Sequence, residues 1–234
     1  MVSITNKLQE VKHRITSACA AAGRPLDSVQ LLAVSKTQPD VAVREAFAAG
    51  QRAFGENYVQ EALAKIQALL DLRSVPGPCI EWHLIGPLQS NKTRVVAESF
   101  DWVHSVDRLK IAQRLAEQRP AHLAPLQLCL QVNVDGGAHK SGVHPGELLA
   151  LAQAVAALPA QQVRLRGLMS IPEPLSGMAA QRAPHRALHA LLRGLQQAGL
   201  PLDTLSMGMS ADLEAAIHEG STHVRVGSAI FGAR

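Results

Sequence analysis

The amino-acid sequence predicts a closed (β/α)8 barrel, an α/β TIM barrel, with one extra helix at its N-terminus. Three observations carry this prediction. Short apolar runs alternate with amphipathic runs eight times within 234 residues, the rhythm of right-handed crossovers in a parallel sheet and the usual size of such a barrel. The first strand-like run is not followed by the glycine-rich fingerprint of an open doubly wound sheet, the alternative fold with the same rhythm. Aromatic residues make up only 3% of the chain, so the core is built from Ala, Leu, Val and Ile, which suits helices packed closely on a sheet.

In order along the chain, residues 3–22 place Ile4, Leu8, Val11, Ile15 and Ala18 at helical spacing, and Gly23 and Pro25 close the segment. Strands then read at 31–35, 52–55, 81–85, 102–105, 126–134, 164–169, 204–206 and 223–226. The helices between them begin near Asp40, Tyr58, Asn91, Asp107, Pro145, Pro184 and Ala211, and a final short helix follows Gly227-Ser228. Pro39-Asp40, Ser105-x-Asp107 and Ser210-x-Asp212 supply N-terminal cap chemistry. Gly50, Pro120, Pro159, Gly199 and Gly220 stop helices. Residues 171–183, IPEPLSGMAAQRA, read as the longest loop. Nothing reads as a linker or a repeat, so one domain is expected over 1–234.

The net charge is +4, from 23 basic and 19 acidic residues without a long basic run. That mild excess suits either a phosphorylated ligand or an ordinary solvated surface. The shortage of aromatics argues against a nucleic-acid reader that stacks bases. Cys19, Cys79 and Cys129 are far apart and share no C-x-x-C spacing, so neither a disulfide framework nor a metal site is expected, as in a reducing cytoplasm. The start, MVSITNKLQE, lacks a secretory pattern, and no uncharged apolar run is long enough for a bilayer. The expectation is a cytoplasmic protein without a membrane partner.

A barrel of this kind carries its chemistry at the C-terminal ends of its strands. Here those ends are Ser35-Lys36, Gly55-Glu56-Asn57, His83 with Gly86, Asn133 with the loop His139-Lys140-Ser141, Met169-Ser170, SMGMSAD (206–212) and HVRVGSAIFG (223–232). Loops after strands 7 and 8 beside helix N-termini are the usual phosphate site of the fold. Ser210 and Gly227-Ser228 fall there, although each alone also reads as an ordinary glycine turn. Arg225 alternates with Val224 and Val226, so it points into the barrel mouth, toward either an anion or an internal carboxylate. DGGAHKSG (135–142) is not a Walker A loop, because His139 stands where glycine is required. No H-E-x-x-H or G-x-S-x-G motif is present. Lys36, at the end of an apolar strand, is the amine of the mouth, and desolvation favours such a lysine as a carbonyl nucleophile. An amine, an anion cradle and an arginine together suit a phosphorylated aldehyde, of which pyridoxal 5′-phosphate (PLP), held as a Schiff base, is the common one.

The motifs AVSKTQP (33–39), FGENYVQEALAK (54–65), EWHLIGPLQSNK (81–92), SVDRLKIAQRL (105–115), GLMSIPEP (167–174), LSMGMSADLEAAI (205–217) and VRVGSAIFG (224–232) resemble those of the pyridoxal phosphate homeostasis proteins, also called proline synthetase co-transcribed proteins. The resemblance spans nearly the whole chain in order. It implies a single barrel similar to the N-terminal domain of alanine racemase, with PLP on Lys36. It further implies Ser210, Gly227 and Ser228 at the phosphate, Arg225 at the pyridine nitrogen, and Asn57, His83 and Met209 around the cofactor. Residues 172–186 depart from the family pattern, which leaves the loop after strand 6 open.

Two functions follow. In the first, the protein buffers PLP and delivers it to apo forms of PLP-dependent enzymes without catalysing a reaction. In the alternative it is a slow amino-acid racemase. The first is favoured because the single tyrosine, Tyr58, starts a helix and is no evident second base. A fixed charge at Arg225 also weakens the ring as an electron sink. The chain ends soon after strand 8, so a covering second domain is not expected, and neither is a dimer. Lys140 reads either as a transient acceptor of the aldehyde or as a solvated loop lysine.

Overall fold

A computed structural model describes residues 3–137 and 140–232. His139 and the chain ends therefore lie outside the described residues. Eight parallel strands close into a barrel in sequence order: β1 (Gln30–Val34), β2 (Ala53–Glu56), β3 (Glu81–Leu84), β4 (Trp102–Val106), β5 (Leu126–Gln131), β6 (Val163–Met169), β7 (Thr204–Ser206) and β8 (His223–Val226). Closure is made by β8 on β1, with Leu32 opposite Arg225 and Ala33 opposite Val226. On its other side β1 sets Val34 opposite Gly55. Lys36, two residues past Val34, thus leaves the sheet between the ends of β2 and β8.

The helices are α1 (Ile4–Ala21), α2 (Asp40–Ala48), α3 (Val59–Ala68), α4 (Thr93–Ser99), α5 (Leu109–Gln118), α6 (Leu148–Ala156), α7 (Met178–Gln197), α8 (Leu213–His218) and α9 (Ser228–Phe231). The extra helix α1 is capped by Ser3, whose hydroxyl accepts from the Asn6 amide at 3.2 Å. It buries Leu8, Val11, Ile15, Ala18 and Cys19, the stripe expected from its spacing.

Alternation along the strands builds two different interiors. Outward residues such as Phe54, Trp82, Leu84, Val103, Leu128 and Val224 join the helices in one apolar shell. Burying each such side chain contributes roughly 1.5–3 kcal/mol. Inward residues form two small apolar groups, Leu32 with Ala53 and Ile85, and Trp102 with Cys129 and Met169. Between them lie buried polar groups: His83, His104, Ser206, His223 and Arg225. A polar barrel interior needs internal hydrogen bonds, and each of these groups makes at least one, although His83 Nε2 and His223 Nε2 have none among the described residues.

Most strand boundaries fall within a residue or two of expectation. β5 is the exception: it ends at Gln131, and Val132 makes only an isolated bridge to Val143. The 171–183 loop is a larger correction. α7 begins at Met178 and carries Pro184 inside it. Proline punctuates helices because it lacks an N–H, but this one sits seven residues in, where its loss is compensated by Leu188, Leu192 and Leu195 buried further along the same helix. The helices expected near Asn91 and Pro145 open as 3-10 turns at Ser90–Lys92 and Pro145–Glu147. α8 starts at Leu213 with Asp212 at its N-cap, rather than at Ala211.

Candidate functional site

Lys36 stands at the mouth over an apolar plug of Leu32, Ala53 and Ile85. Its neighbours are held hard. Ser35 Oγ donates to Glu56 Oε1 at 2.6 Å. Lys65 Nζ donates to the same oxygen at 2.8 Å and to the Ser35 carbonyl at 2.6 Å, and pairs with Glu61 at 2.7 Å. Burial pushes the Glu56 carboxyl above its ordinary range, against the opposing pull of Lys65 and Ser35. Thr37 adopts φ +63°, the only positive φ outside glycine among the described residues, and such a conformation at a β-branched residue is strained. Its amide donates to Glu61 Oε1 at 2.5 Å and its hydroxyl to the Lys36 carbonyl at 2.6 Å. The backbone on both sides of Lys36 is thus pinned to one buried charge cluster.

A cavity of about 640 Å³ opens above the lysine. Of the expected site residues, Lys36, Asn57, Met209, Ser210, Arg225, Gly227 and Ser228 all line it. His83 does not: it is fully buried one layer deeper. Asn57 Oδ1 and Ser170 Oγ are buried near this end without a hydrogen-bond partner among the described residues. Buried polar atoms are rarely left so, and an unpaired acceptor in the cavity wall fits a polar ligand. Asn57 is positioned by Gly86, where a Cβ would fall 2.1 Å from the Asn57 carbonyl oxygen.

The loop after β7 is tied from three directions. Asp212 Oδ1 accepts from the Met209 amide at 2.7 Å, and Asp212 Oδ2 meets His185 Nε2 at 2.9 Å. Burial opposes the Asp212 charge, but His185 and the amide outweigh it and hold the carboxyl below its usual value. From α1, Arg14 donates to the Ser210 carbonyl at 3.1 Å and to Glu214 at 2.8 Å. The extra helix therefore clamps the loop that presents Ser210.

Arg225 points inward, as its alternation with valines predicts. Its Nη1 donates to the Ser206 carbonyl at 2.7 Å and Ser206 Oγ at 2.9 Å, and its Nη2 to the Ser170 carbonyl at 2.8 Å. Among the described residues the internal ion pair considered from sequence is not formed; the acceptors of Arg225 are neutral. Burial lowers its pKa to about 10, so it stays charged at neutral pH. Behind it runs a line of polar contacts: Ser206 Oγ to His104 Nδ1 at 2.8 Å, His104 Nε2 to His83 Nδ1 at 3.0 Å, and His83 Nε2 to Glu81 Oε2 at 3.6 Å. One donor order accounts for the hydrogen bonds as far as His83, whose Nε2 makes none among the described residues and only faces Glu81 Oε2 at 3.6 Å. Arg225 donates to Ser206, the Ser206 hydroxyl to His104, neutral His104 to His83, and His83 toward Glu81. Burial, then the charges of His83, His223 and Arg225, hold His104 well below the ordinary imidazole value. Burial pulls His223 down to about 3.

Lys140 lies at the rim, bridging Asp135 at 2.5 Å and Glu173 at 3.0 Å. Burial works against its charge, but these two carboxylates outweigh it and raise its pKa. Sequence reasoning missed Lys65, Arg14 and His104, and it read Glu56 only as a strand-end residue and Asp212 only as a helix cap. The i,i+4 spacing of Glu61 and Lys65 and the inward phase of His104 were the available signals.

A closed barrel with a lysine at its mouth and a glycine and hydroxyl cradle opposite defines a lysine-presenting barrel of the alanine racemase type. The family model for the alanine racemase N-terminal domain matches residues 7–234. The chain is 61% identical over 234 residues to a pyridoxal phosphate homeostasis protein of Pseudomonas aeruginosa, covering all of this chain and 97% of that one. It is 52% identical to the protein so named in Escherichia coli, covering all of this chain and 98% of that one. The solved structure of PipY from Synechococcus elongatus with PLP bound superimposes with a TM-score of 0.83 at 40% identity, covering 98% of this chain and all of that one. Alanine racemase from Corynebacterium glutamicum shares the fold, with a TM-score of 0.68 at 18% identity over 97% of this chain and 62% of its own. The chain belongs to the pyridoxal phosphate homeostasis protein family.

Proposed function

We propose that this protein holds PLP on Lys36 as a Schiff base and serves intracellular PLP homeostasis, buffering the cofactor and delivering it to apo forms of PLP-dependent enzymes. The observation that carries the reading is one cavity that joins Lys36, the Ser210 and Gly227-Ser228 cradle and the guanidinium of Arg225. Ser210, Gly227 and Ser228 hold the phosphate, Arg225 faces the pyridine nitrogen, and Asn57 and Met209 flank the ring. His83 acts from below, through His104 and Ser206, to fix Arg225. When bound, PLP supplies an aldehyde for the amine and an electron-withdrawing ring. Arg225, charged and anchored by three acceptors, keeps the ring nitrogen unprotonated and limits that withdrawal.

The same cavity supports a carrier over an enzyme. Among the described residues lining it, Lys36 and Arg225 are the ionisable groups, and neither a carboxylate nor a histidine nor a tyrosine faces the lysine. Tyr58 is 54% exposed at the start of α3, outside the cavity. A racemase needs a second base there. The test is incubation of the holoprotein with L-amino acids in deuterated water. A carrier leaves the α-proton in place; steady exchange, abolished in Lys36→Ala, establishes the slow racemase instead. The two carboxylates on Lys140 favour its role as a loop fastener over that of an aldehyde acceptor. The proposal places one barrel unit, spanning 1–234, in the cytoplasm as a monomer. Among the described residues no helix is long and apolar enough to cross a membrane.

A further inference from the structure

At the opposite end of the barrel, where the strands begin, lies a second cavity of about 700 Å³ that PLP binding does not use. Its wall carries five guanidinium groups, on Arg52, Arg73, Arg119, Arg164 and Arg166, and two carboxylates, on Glu81 and Asp101. Three of the arginines hold the fold together. Arg119 is spent on the carbonyls of Ala97, Phe100 and Ala124. Arg73 donates to Asp101 and to the Ser99 carbonyl. Arg166 grips Asp203 with two donors and Gln127 with a third.

Two are not used up. Arg52 donates only through Nη1, to the Phe47 and Gln51 carbonyls, which leaves Nε and Nη2 without a partner among the described residues. Arg164 is exposed and makes no hydrogen bond or ion pair with a described residue. They stand at the starts of β2 and β6, across the barrel floor from each other. Even with Asp203 behind Arg166, five guanidinium groups meet three carboxylates, because the carbonyls that hold Arg119 carry no charge. Lys12 adds to the field from the adjoining cleft, which shares Arg52 with this one. A concave site with an uncompensated charge of one sign concentrates counter-ions, and the guanidinium fork matches phosphate oxygens bidentately. The volume is that of a small-molecule site, and Ile80, Trp102 and Pro125 give it an apolar side.

We propose that this floor cavity is a second ligand site, for a small organic molecule carrying one or more phosphate groups, clasped between Arg52 and Arg164. A multiply charged phosphate offsets the excess, whereas a single carboxylate leaves part of it unbalanced. The inference does not rest on the reading of the upper site.

Calorimetric titration of the full-length holoprotein with inorganic pyrophosphate, at fixed ionic strength, tests it. Saturable one-to-one binding is expected, unmatched by acetate. Arg164→Glu and Arg52→Gln each weaken it about tenfold or more, and Ser228→Asp, which spoils the upper cradle, leaves it unchanged. Arg164 is exposed, so its variant is expected to melt like the wild type; Arg164→Gln provides the same comparison should the charge reversal fail to fold. The absence of saturable heat overturns the proposal. So does equal affinity in the Arg164 variants, or loss of binding in Ser228→Asp, which puts the anion in the upper cradle.

Discussion

Lys65 Nζ and Glu56 Oε1 form an ion pair of 2.8 Å directly behind Lys36, with side chains 7% and 0% exposed. The same ammonium donates to the carbonyl of Ser35, the residue before Lys36. A buried pair of this kind is a weak source of net stability but a costly one to break, because the survivor is left charged and dry.

Lys65→Met removes one partner, and unfolding free energy falls by about 3 kcal/mol or more. Glu56→Gln keeps the hydrogen bonds and leaves only the ammonium of Lys65, still paired with Glu61, so its loss is smaller. Chemical denaturation of both variants checks the order. A loss below about 1 kcal/mol for Lys65→Met means that the pair does not organise the lysine strand.

Gly86→Ala acts on the cofactor wall through the backbone. A methyl group there meets the Asn57 carbonyl oxygen, Cα and carbonyl carbon all within 2.7 Å, so the Asn57 segment moves away. PLP affinity falls severalfold with a modest drop in Tm; unchanged affinity shows that Asn57 is not held against the ligand by this contact.

Ser206→Ala cuts the line between Arg225 and His104. Arg225 keeps the two carbonyls but loses the hydroxyl, and His104 Nδ1 loses its donor. Stability falls by about 1–2 kcal/mol and PLP affinity by roughly tenfold, with a shift of the cofactor band as the guanidinium relaxes. Absorbance titration measures both. A variant identical to the wild type in band and affinity removes His83 and His104 from the cofactor's support.

Stability depends on pH through the buried histidines. His104 and His223 are held neutral in the folded protein, the latter to about 3, whereas unfolded histidine titrates near 6.5. Their folded values are depressed, so the unfolded chain binds the extra protons. Stability is full above about pH 6.5 and falls as pH drops toward 3. At pH 5 His223 costs about 2 kcal/mol relative to pH 7, and His104 acts in the same direction. Glu56, shifted upward, works in the opposite sense, so the comparison is made with His223→Gln. That variant flattens the slope between pH 7 and 5 by about one proton; an unchanged slope contradicts the assignment.

The barrel was legible because its rhythm is a matter of period. Strand runs such as 204–206 and 223–226 coincide with β7 and β8, and alternation alone turned Arg225 inward. The α7 boundary was not legible. Pro184 is a local stop signal, and only burial of Leu188 and Leu192 against the sheet overrides it. Seven of the eight expected site residues meet in one cavity because strand ends place them there. His83 lies below it, since an inward phase fixes the face of a strand but not the depth. The ties of Lys65 to Ser35 and of Arg14 to Ser210 span 30 and 196 positions, and nothing in the local sequence announces a partner at such range.

The central claim is that Lys36 carries the cofactor. Purified protein, reduced with borohydride in the presence of PLP and digested, gives one modified peptide when mapped by mass spectrometry. The expected result is a single pyridoxyl group on Lys36, lost in Lys36→Ala together with the visible absorption band. Modification of Lys36→Ala at another lysine with the band intact, or an unmodified Lys36 in the wild type, contradicts it.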